Sequence, residues 1–310
     1  MSGRKCIFRL YMDAIKQLKS LDLQECDMLI IEKLLFSMSD VPAIKATIVE
    51  GTTITRARPG RGFSQPHQLT YRPANKCSNF QRATLPGETA FYGCLAEDQR
   101  HNENARAISV AESATLSRMG KESVGREYIT IGLWIITKPL SVVSFVTDET
   151  YPKVKNRHLD MFRREYTRRK KYYTPQQIEF SRFLNQEFTK VVKDDETYKY
   201  KITAQISHDA FYVLEDDNGQ HFDAIVYPSV QLGGQAGLDI AIRPDVADNV
   251  LQLVNIIETS YFKKGESSIS RIDRGYDARH HLLSGKQFED EVVCRELNIR
   301  NLQELPIVRH

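Results

Sequence analysis

The sequence predicts an α+β fold. Two segments, 128–136 and 140–146, are rich in β-branched residues and are separated by a Lys-Pro pair, which is typical of neighbouring strands. The segment that begins at Thr174 has instead the cap and the apolar spacing of an amphipathic helix. Strand and helix patterns follow one another without regular strand–helix–strand alternation, so α+β is favoured over a doubly wound parallel sheet.

Length and composition are those of an ordinary folded protein. The chain has 310 residues, of which 41% are hydrophobic and 27% charged, and its formal net charge is +3. This balance gives no overall argument for binding nucleic acid or a membrane. We predict three consecutive parts: an N-terminal helical appendage at 1–47, a central domain at 48–260 and a C-terminal extension packed on it at 261–310.

The cysteine pattern favours a reducing compartment, and the apolar segments predict neither a signal peptide nor a membrane span. An odd number of cysteines without a CxxC pair argues against a disulfide framework and a zinc site. The first residues lack the apolar stretch of a signal peptide, and no window approaches the roughly 18 apolar residues needed to span a bilayer. We therefore expect a cytoplasmic protein without membrane association. The five cysteines are Cys6, Cys26, Cys77, Cys94 and Cys294.

In the first part of the chain, residues 1–50 are predicted to be mainly helical. Apolar residues between 28 and 38 recur at helical spacing, and Ser20 or Asp22 is the expected cap. The sequence leaves open whether these helices pack on the main body or form a homo-oligomer contact. The next predicted elements are extended pieces and Gly/Pro loops at 48–82, a strand at 90–94 and a helix at 105–118.

The strongest helix signal lies in the second half of the chain. Thr174 is the predicted cap, Pro175 takes the first helical position and Gln177 completes a capping box. The elements predicted after it are a helix at 200–213, strands at 222–226 and 238–242, and a polar, irregular tail after 261 with a last helix at 286–297.

Several familiar signatures of catalysis are missing from the sequence. There is no GxGxxG after a strand, no phosphate-binding GxxxxGK[ST] loop and no GxSxG elbow. His280 and His281 are adjacent rather than one helical turn apart, so they are interpreted as surface histidines. We expect no metal and no separate cofactor.

What remains is a set of arginines with a tyrosine, a glutamate and a serine in turn-rich surroundings. Arginine binds pyrophosphate oxygens as a fork, and a tyrosine can stack on a flat ring. A carboxylate can stabilise the positive charge that develops when an N-glycosidic bond breaks. Each residue alone is more often a surface, core or turn residue. The candidates are Arg56, Arg58, Arg82, Tyr92, Glu112 and Ser229.

The order of these segments resembles the RES family, which is named for its Arg, Glu and Ser. Thr55–Arg58 matches the family's early "yRar", and the stretch 81–92 corresponds to its "GRaNpxGxpxlY". Glu112 corresponds to the family glutamate in an alanine-rich helix. The stretch 222–230, FDAIVYPSV, with the glycine-rich run after it, resembles "dGixYpSvr…G.Nxal". The four segments span roughly residues 50–260.

The sequence departs from the family pattern at several positions. Gln81 and Thr84 replace the glycine and the asparagine of the second segment, and Asp239 stands where an asparagine is common. The gap before Glu112 is longer than usual, and residues 98–104 have the composition of an insertion. These departures bear on local loop geometry and leave the arginine of the segment in place.

The resemblance implies both a fold and an activity. The fold is similar to that of ADP-ribosyltransferases, with mixed β-sheets and flanking helices around an NAD-binding catalytic domain at 48–260. The substrate implied is NAD, cleaved between nicotinamide and ribose by inorganic phosphate or water; in some members ADP-ribose is transferred to a protein. The setting implied is a bacterial toxin held in check by an antitoxin that carries a helix-turn-helix domain.

The resemblance also implies a role for each arginine and for the tyrosine. Arg56 and Arg82 hold the pyrophosphate of NAD, and Arg58 is a possible helper. Tyr92 stacks on nicotinamide or on the ribose beside it.

Two further roles concern the reacting carbon. Glu112 stabilises the ribosyl cation and orients the nucleophile, and Ser229 hydrogen-bonds the nicotinamide ribose or the attacking phosphate. The sequence leaves the acceptor open, because water, phosphate and a protein side chain all attack the same carbon.

Two alternatives come from other features of the sequence. The basic run RREYTRRKK at 163–171, with tyrosines in and beside it, is compatible with nucleic-acid binding or with docking an acidic partner segment. A solvated basic linker before the Thr174 helix is the favoured interpretation of that run. A non-catalytic relative that serves as a binding module is the second alternative, and the retained Arg, Tyr, Glu and Ser argue against it.

Overall fold

The computed structural model confirms the α+β class. It describes residues 13–38, 42–97, 101–150, 156–216, 219–229, 237–277, 282–283 and 290–308. Two compact units interleave along the chain. The first unit comprises Met1–Ile48, Arg72–Phe91 and Pro139–Ala247, and the second comprises Val49–Tyr71, Tyr92–Lys138 and Asp248–His310.

The helices and strands are numbered in chain order. The helices are α1 (13–20), α2 (Met28–Phe36), α3 (Pro66–Leu69), α4 (Glu103–Ser113), α5 (Thr115–Arg118), α6 (Arg157–Lys170), α7 (Pro175–Phe188), α8 (Lys201–Tyr212), α9 (Pro244–Val250) and α10 (Asp290–Glu296). The strands are β1 (Ile44–Ile48), β2 (Thr53–Pro59), β3 (Phe91–Leu95), β4 (Val124–Ile136), β5 (Leu140–Ser144), β6 (Ala224–Pro228), β7 (Leu238–Ile242), β8 (Leu251–Lys264), β9 (Ser267–Asp277) and β10 (Leu282–Leu283). Short 3₁₀ turns lie at Ala74–Lys76, Thr197–Tyr200 and Leu302–Glu304.

In the first unit, strands β1, β5, β6 and β7 form a mixed arrangement in that order. β1 is antiparallel to β5, β5 is parallel to β6, and β6 is antiparallel to β7. Every residue of β6 and β7 is buried, which explains why both strands are almost continuously apolar rather than alternating. The helices α2, α6, α7 and α8 belong to the same unit.

The start of α7 has the cap that the sequence predicts. The Gln177 N–H donates to the Thr174 hydroxyl over 3.3 Å, and the Thr174 N–H donates to Gln177 Oε1 over 2.9 Å. Pro175 occupies the first helical position, where no backbone donor is needed. The helix then buries Phe180 and Phe183 on one face.

Thr174→Ala is expected to lower the free energy of unfolding by about 1 kcal/mol, because the N–H of Gln177 loses its acceptor. Urea unfolding followed by far-ultraviolet circular dichroism measures the change. Thr167→Ala is the matched control, since Thr167 lies inside α6 and only bonds the carbonyl of Arg163 behind it. An equal loss for both variants would contradict a capping role for Thr174.

In the second unit, strands β3, β2, β4, β8, β9 and β10 are antiparallel neighbours in that order. β4 and β8 pair from Val124 opposite Lys264 to Ile136 opposite Leu251. Helices α4 and α5 cover one face of these strands. The apolar core on that face includes Ala57, Val110, Ala114, Leu116, Ile129, Ile131, Leu133 and Ile257.

Three local predictions are wrong. The tail after 261 is not irregular, since it completes β8 and forms β9, which pairs with β8 from Ser267 to Asp277. The basic run is not a linker but the second half of α6, which is held by buried Leu159, Phe162 and Tyr166. Residues 44–48 are strand β1 rather than part of a helical segment.

Other predictions have mixed outcomes. The strand at 238–242 is confirmed as β7, whereas the expected helix at 105–118 is interrupted at Ala114. The N-cap of α2 is Asp27. His280 and His281 lie outside the described residues. The three consecutive domains predicted from the sequence stay a prediction beside the two interleaved units. No helix in the described ranges is long and apolar enough to cross a membrane.

Candidate functional site

On strand β2, Arg56 and Arg58 lie on the face opposite helix α4. The Thr55 hydroxyl lies 2.7 Å from the Ser109 hydroxyl of α4, and the Ala57 carbonyl accepts a hydrogen bond from Ser113 over 2.9 Å. Because successive side chains of a strand point to opposite faces, the two arginines project from the face that α4 does not cover.

Both guanidinium groups of β2 are held by backbone carbonyls. Arg56 Nε donates to the Thr70 carbonyl over 3.2 Å, and its Nη1 donates to the carbonyl of Tyr92. Arg58 Nη1 donates to the Gln68 carbonyl, and its guanidinium lies 5.5 Å from the ring centre of Phe63. The contacts restrict the rotamers of both arginines, so their remaining N–H groups have a defined direction.

Tyr92 and Glu112 lie on the helix side of the same sheet. Tyr92 stands two residues before Cys94 on β3, and Cys94 is opposite Thr55, so Tyr92 shares the face of Thr55. Glu112 is half-buried in the last turn of α4, where its carbonyl accepts a hydrogen bond from Arg118 over 2.9 Å. Arg56 contacts Tyr92 through the backbone carbonyl of Tyr92.

Arg82 belongs to the first unit, where it closes the end of α7. Its Nη1 donates to the Phe188 carbonyl over 2.6 Å, and its Nη2 donates to the Lys190 carbonyl over 2.9 Å. Its guanidinium also lies 4.9 Å from the ring centre of Tyr200 and 5.8 Å from that of Tyr227. A cation at the carbonyl end of a helix is favourable, so these contacts give Arg82 a structural use that the sequence did not reveal.

Ser229 also belongs to the first unit and follows the last residue of β6. It is 2% exposed, and its N–H donates to the carbonyl of Gly237 over 3.0 Å. Tyr227, two residues earlier, is the more distant of the two rings near the Arg82 guanidinium. The second and fourth motif segments therefore meet in this unit through Arg82 and Tyr227. The predicted Gly233 and Gly234 of the glycine-rich loop lie outside the described residues.

The six predicted site residues thus divide between the two units. Arg56 and Arg58 share one face of the β2 sheet, while Tyr92 and Glu112 share the other. Arg82 and Ser229 are in the first unit. The functional assignment of each residue stays a prediction.

Glu258 is a carboxylate on the arginine face of β2, and it is not among the site residues predicted from the sequence. Arg58 is opposite Thr130, and Thr130 is opposite Glu258, so the three residues form one row across β2, β4 and β8. Glu258 is 4% exposed. Its Oε1 accepts the Gly62 N–H over 2.9 Å, and its Oε2 lies 2.6 Å from Arg274 Nε.

Beside Glu258, a polar cluster holds the loop after β2 on the sheet. The Ser260 hydroxyl donates to Asp273 Oδ2 over 2.6 Å, and Arg61 forms an ion pair with the same carboxylate. The Arg61 guanidinium also lies 3.4 Å from the ring centre of Tyr128. Because Gly60 has a φ of 115°, the loop reverses there as other residues rarely do. The sequence signal for this cluster is that Glu258 and Ser260, two residues apart on β8, lie on the same face of the strand.

On the α4 side of the sheet, a carboxylate lies at the start of helix α5 and an ammonium group at its end. Buried Glu127 accepts the N–H groups of Thr115 and Leu116, each over 3.0 Å. Lys263 Nζ donates to the carbonyls of Leu116 and Met119, each over 2.9 Å, at the other end of the helix. Burial lowers the pKa of the Lys263 ammonium. The signs of the two charges match the helix dipole.

The basic run has ion pairs of its own. Arg168 Nη2 and Arg169 Nε lie 2.7 Å and 2.6 Å from Glu165 Oε1, and Lys170 lies 2.9 Å from Asp148. Hydrogen bonds from Arg168 and Arg169 lower the pKa of Glu165 to about 2. Internal pairing leaves fewer cations for phosphates, which favours a solvated amphipathic helix over a nucleic-acid interface.

Two comparisons with known protein sequences were informative only in finding no match. No protein-family profile matches the chain, and a search of curated protein sequences finds no match. In the described part of the chain, no three His, Cys, Asp or Glu side chains are grouped so that they could hold a metal ion.

Proposed function

We propose that this chain cleaves NAD between nicotinamide and ribose, with inorganic phosphate or water as the acceptor. The observation that carries the proposal is the hydrogen bond from Arg56 to the carbonyl of Tyr92. It joins the first motif segment to the end of the second within one unit. This hydrogen bond supports the proposal independently of the residue pattern within each motif, because the pairing of β2 with β3 brings the two segments together.

The residues of the second unit are suited to the charges of the reaction. Arg56 and Arg58 place two guanidinium groups on the same strand face, and guanidinium is the side-chain cation best suited to a pyrophosphate. Glu112 offers a carboxylate and Tyr92 an aromatic ring on the α4 side. The roles predicted for Arg82 and Ser229, which belong to the first unit, stay predictions.

The proposed reaction changes bonds at one carbon. The bond between the nicotinamide nitrogen and the ribose carbon breaks, and its electron pair leaves with neutral nicotinamide. An oxygen of phosphate or water forms the new bond to that carbon, and water then releases a proton to solvent. The ribose ring carries most positive charge between these events, when a nearby carboxylate stabilises it most strongly. Attack by a protein side chain instead would make the chain an ADP-ribosyltransferase.

Incubation of the purified chain with NAD, with and without inorganic phosphate, tests the proposal. Mass spectrometry is expected to detect nicotinamide together with phosphorylated ADP-ribose, or with free ADP-ribose. A phosphorylated product only in the presence of phosphate identifies a phosphorylase, and free ADP-ribose in both reactions identifies a hydrolase. NAD that survives unchanged in both reactions would contradict the proposal.

A further inference from the structure

The first unit has an open apolar groove formed by α2, β1, β5 and α8. Its volume is about 800 Å³. Six buried apolar residues form its floor. They are Leu35, Met38, Val143, Phe145, Ile206 and Phe222.

Large apolar side chains stand exposed at the rim of this groove. Phe36, at the end of α2, is 88% exposed, and Val213 and Leu214, just after α8, are 60% and 44% exposed. Single exposed apolar residues are common, but several that border one apolar groove are typical of a protein-binding surface. Residues of two helices, α2 and α8, line the groove, as in sites that bind an amphipathic helix.

The charges at the rim are mainly negative. Glu32, Asp209 and Glu215 line the groove, and Lys45 is the single cation among its lining residues. Asp209 Oδ1 accepts a hydrogen bond from Gln205 over 2.9 Å. Within the described ranges, neither Glu32 nor Asp209 has a cation within ion-pair distance. Burial is the main cause that raises the pKa of Asp209; the hydrogen bond from Gln205 and the nearby His208 lower it, and the negative charge of Glu32 raises it by the smallest amount.

The apolar floor and the acidic rim define the shape and the charge of the ligand that fits the groove. An apolar floor with exposed apolar edges requires a ligand with a continuous apolar stripe. Two neighbouring carboxylates without a cation favour lysine or arginine beside that stripe, since opposite charges across an interface improve specificity and association rate. A neutral or acidic segment would bury these carboxylates without compensation.

We propose that the groove binds a basic amphipathic helix of a partner protein. The helix places apolar side chains at helical positions i, i+3 or i+4, and i+7 in the groove and a lysine or arginine against Glu32 and Asp209. This interaction is independent of NAD cleavage, because none of its residues is among the predicted site residues.

A designed peptide provides the probe. It is an 18-residue helix with leucines along one stripe and lysines beside it, labelled with fluorescein and titrated with the full chain in an anisotropy assay. A peptide with every lysine replaced by glutamate tests charge, and a scrambled peptide of the same composition tests the stripe. The lysine peptide is expected to bind at least about tenfold more tightly than either control.

Protein variants locate the binding site. Phe36→Ser is expected to weaken binding of the lysine peptide about tenfold. Val191→Ser is its matched control, because Val191 is 72% exposed in the same unit and does not line the groove. The double variant Glu32→Gln with Asp209→Asn is expected to lose most of the difference in affinity between the lysine peptide and the glutamate peptide.

Three outcomes would overturn the proposal. The first is equal binding of the lysine and glutamate peptides, and the second is unchanged affinity in Phe36→Ser. The third comes from sedimentation velocity without peptide: a dimer that Phe36→Ser converts to a monomer would make a second copy of the chain the occupant.

Discussion

Glu112→Gln is expected to slow NAD cleavage by a factor of about 100 to 1,000, because the amide cannot neutralise the ribosyl cation. Glutamine has nearly the same size and shape as glutamate and can still form hydrogen bonds. Initial rates of nicotinamide release, measured over a range of NAD concentrations, separate the effect on kcat from that on KM. The loss is expected in kcat, since the carboxylate acts on charge that appears only in the transition state.

Glu103→Gln is the matched control for this prediction. Glu103 lies in the first turn of the same helix, and its side chain is 71% exposed beside Arg106. Its substitution is expected to leave the rate unchanged. An undiminished rate in Glu112→Gln would remove Glu112 from the reaction. A loss in Glu258→Gln alone, with unchanged urea stability, would assign the reaction to the carboxylate on the arginine face.

Local signals in the sequence predicted those elements whose stability is mainly local. The capping box at Thr174 and Gln177 needs only neighbouring residues, and it forms as predicted. Strand β9 is different, because most of its side chains are exposed or half-buried and its residues read as a polar loop. Its extended form depends on pairing with β8, a contact that local periodicity does not encode.

Helix α6 was missed because the dense charge of its second half obscures its buried stripe. Leu159, Phe162 and Tyr166 provide the packing, while Arg168 and Arg169 pair with Glu165 in the last turns. Here the apolar stripe begins before the basic run, so a window centred on the run has little apolar signal.

For the candidate site, the sequence identified residue types better than their surroundings. The motif segments named Arg82, but only the fold reveals that its guanidinium closes the carbonyl end of α7. Strand alternation separates Arg56 from Glu112, although both were predicted to serve one substrate. Glu258 could not be predicted as a site residue from the sequence. Its partner Gly62 is distant from it along the chain, and its partner Arg274 lies in β9, which was not predicted.

Glu127→Ala is expected to lower the free energy of unfolding by about 2 to 5 kcal/mol, because two N–H groups lose their charged acceptor. Glu127 is fully buried, and each of its oxygens accepts one N–H at the start of α5. Alanine leaves both N–H groups without an acceptor and leaves the Lys263 ammonium without the opposite charge at the other end of the helix. Glu127→Gln, which keeps one acceptor oxygen, is expected to cost about 1 to 3 kcal/mol.

Trp134 is the single tryptophan of the chain and lies in β4, the strand that also carries Glu127, so its fluorescence reports urea unfolding of the second unit. Glu266→Gln is the matched control, because Glu266 pairs with Lys121 at the surface, where their side chains are 74% and 82% exposed. An exposed pair of this kind contributes less than about 1 kcal/mol. Lys263→Met with Glu127→Ala completes a double-mutant cycle. If the two charges stabilise α5 as a pair, the double variant loses less stability than the sum of the single losses. Strict additivity would instead mean that each charge serves only its own end of the helix.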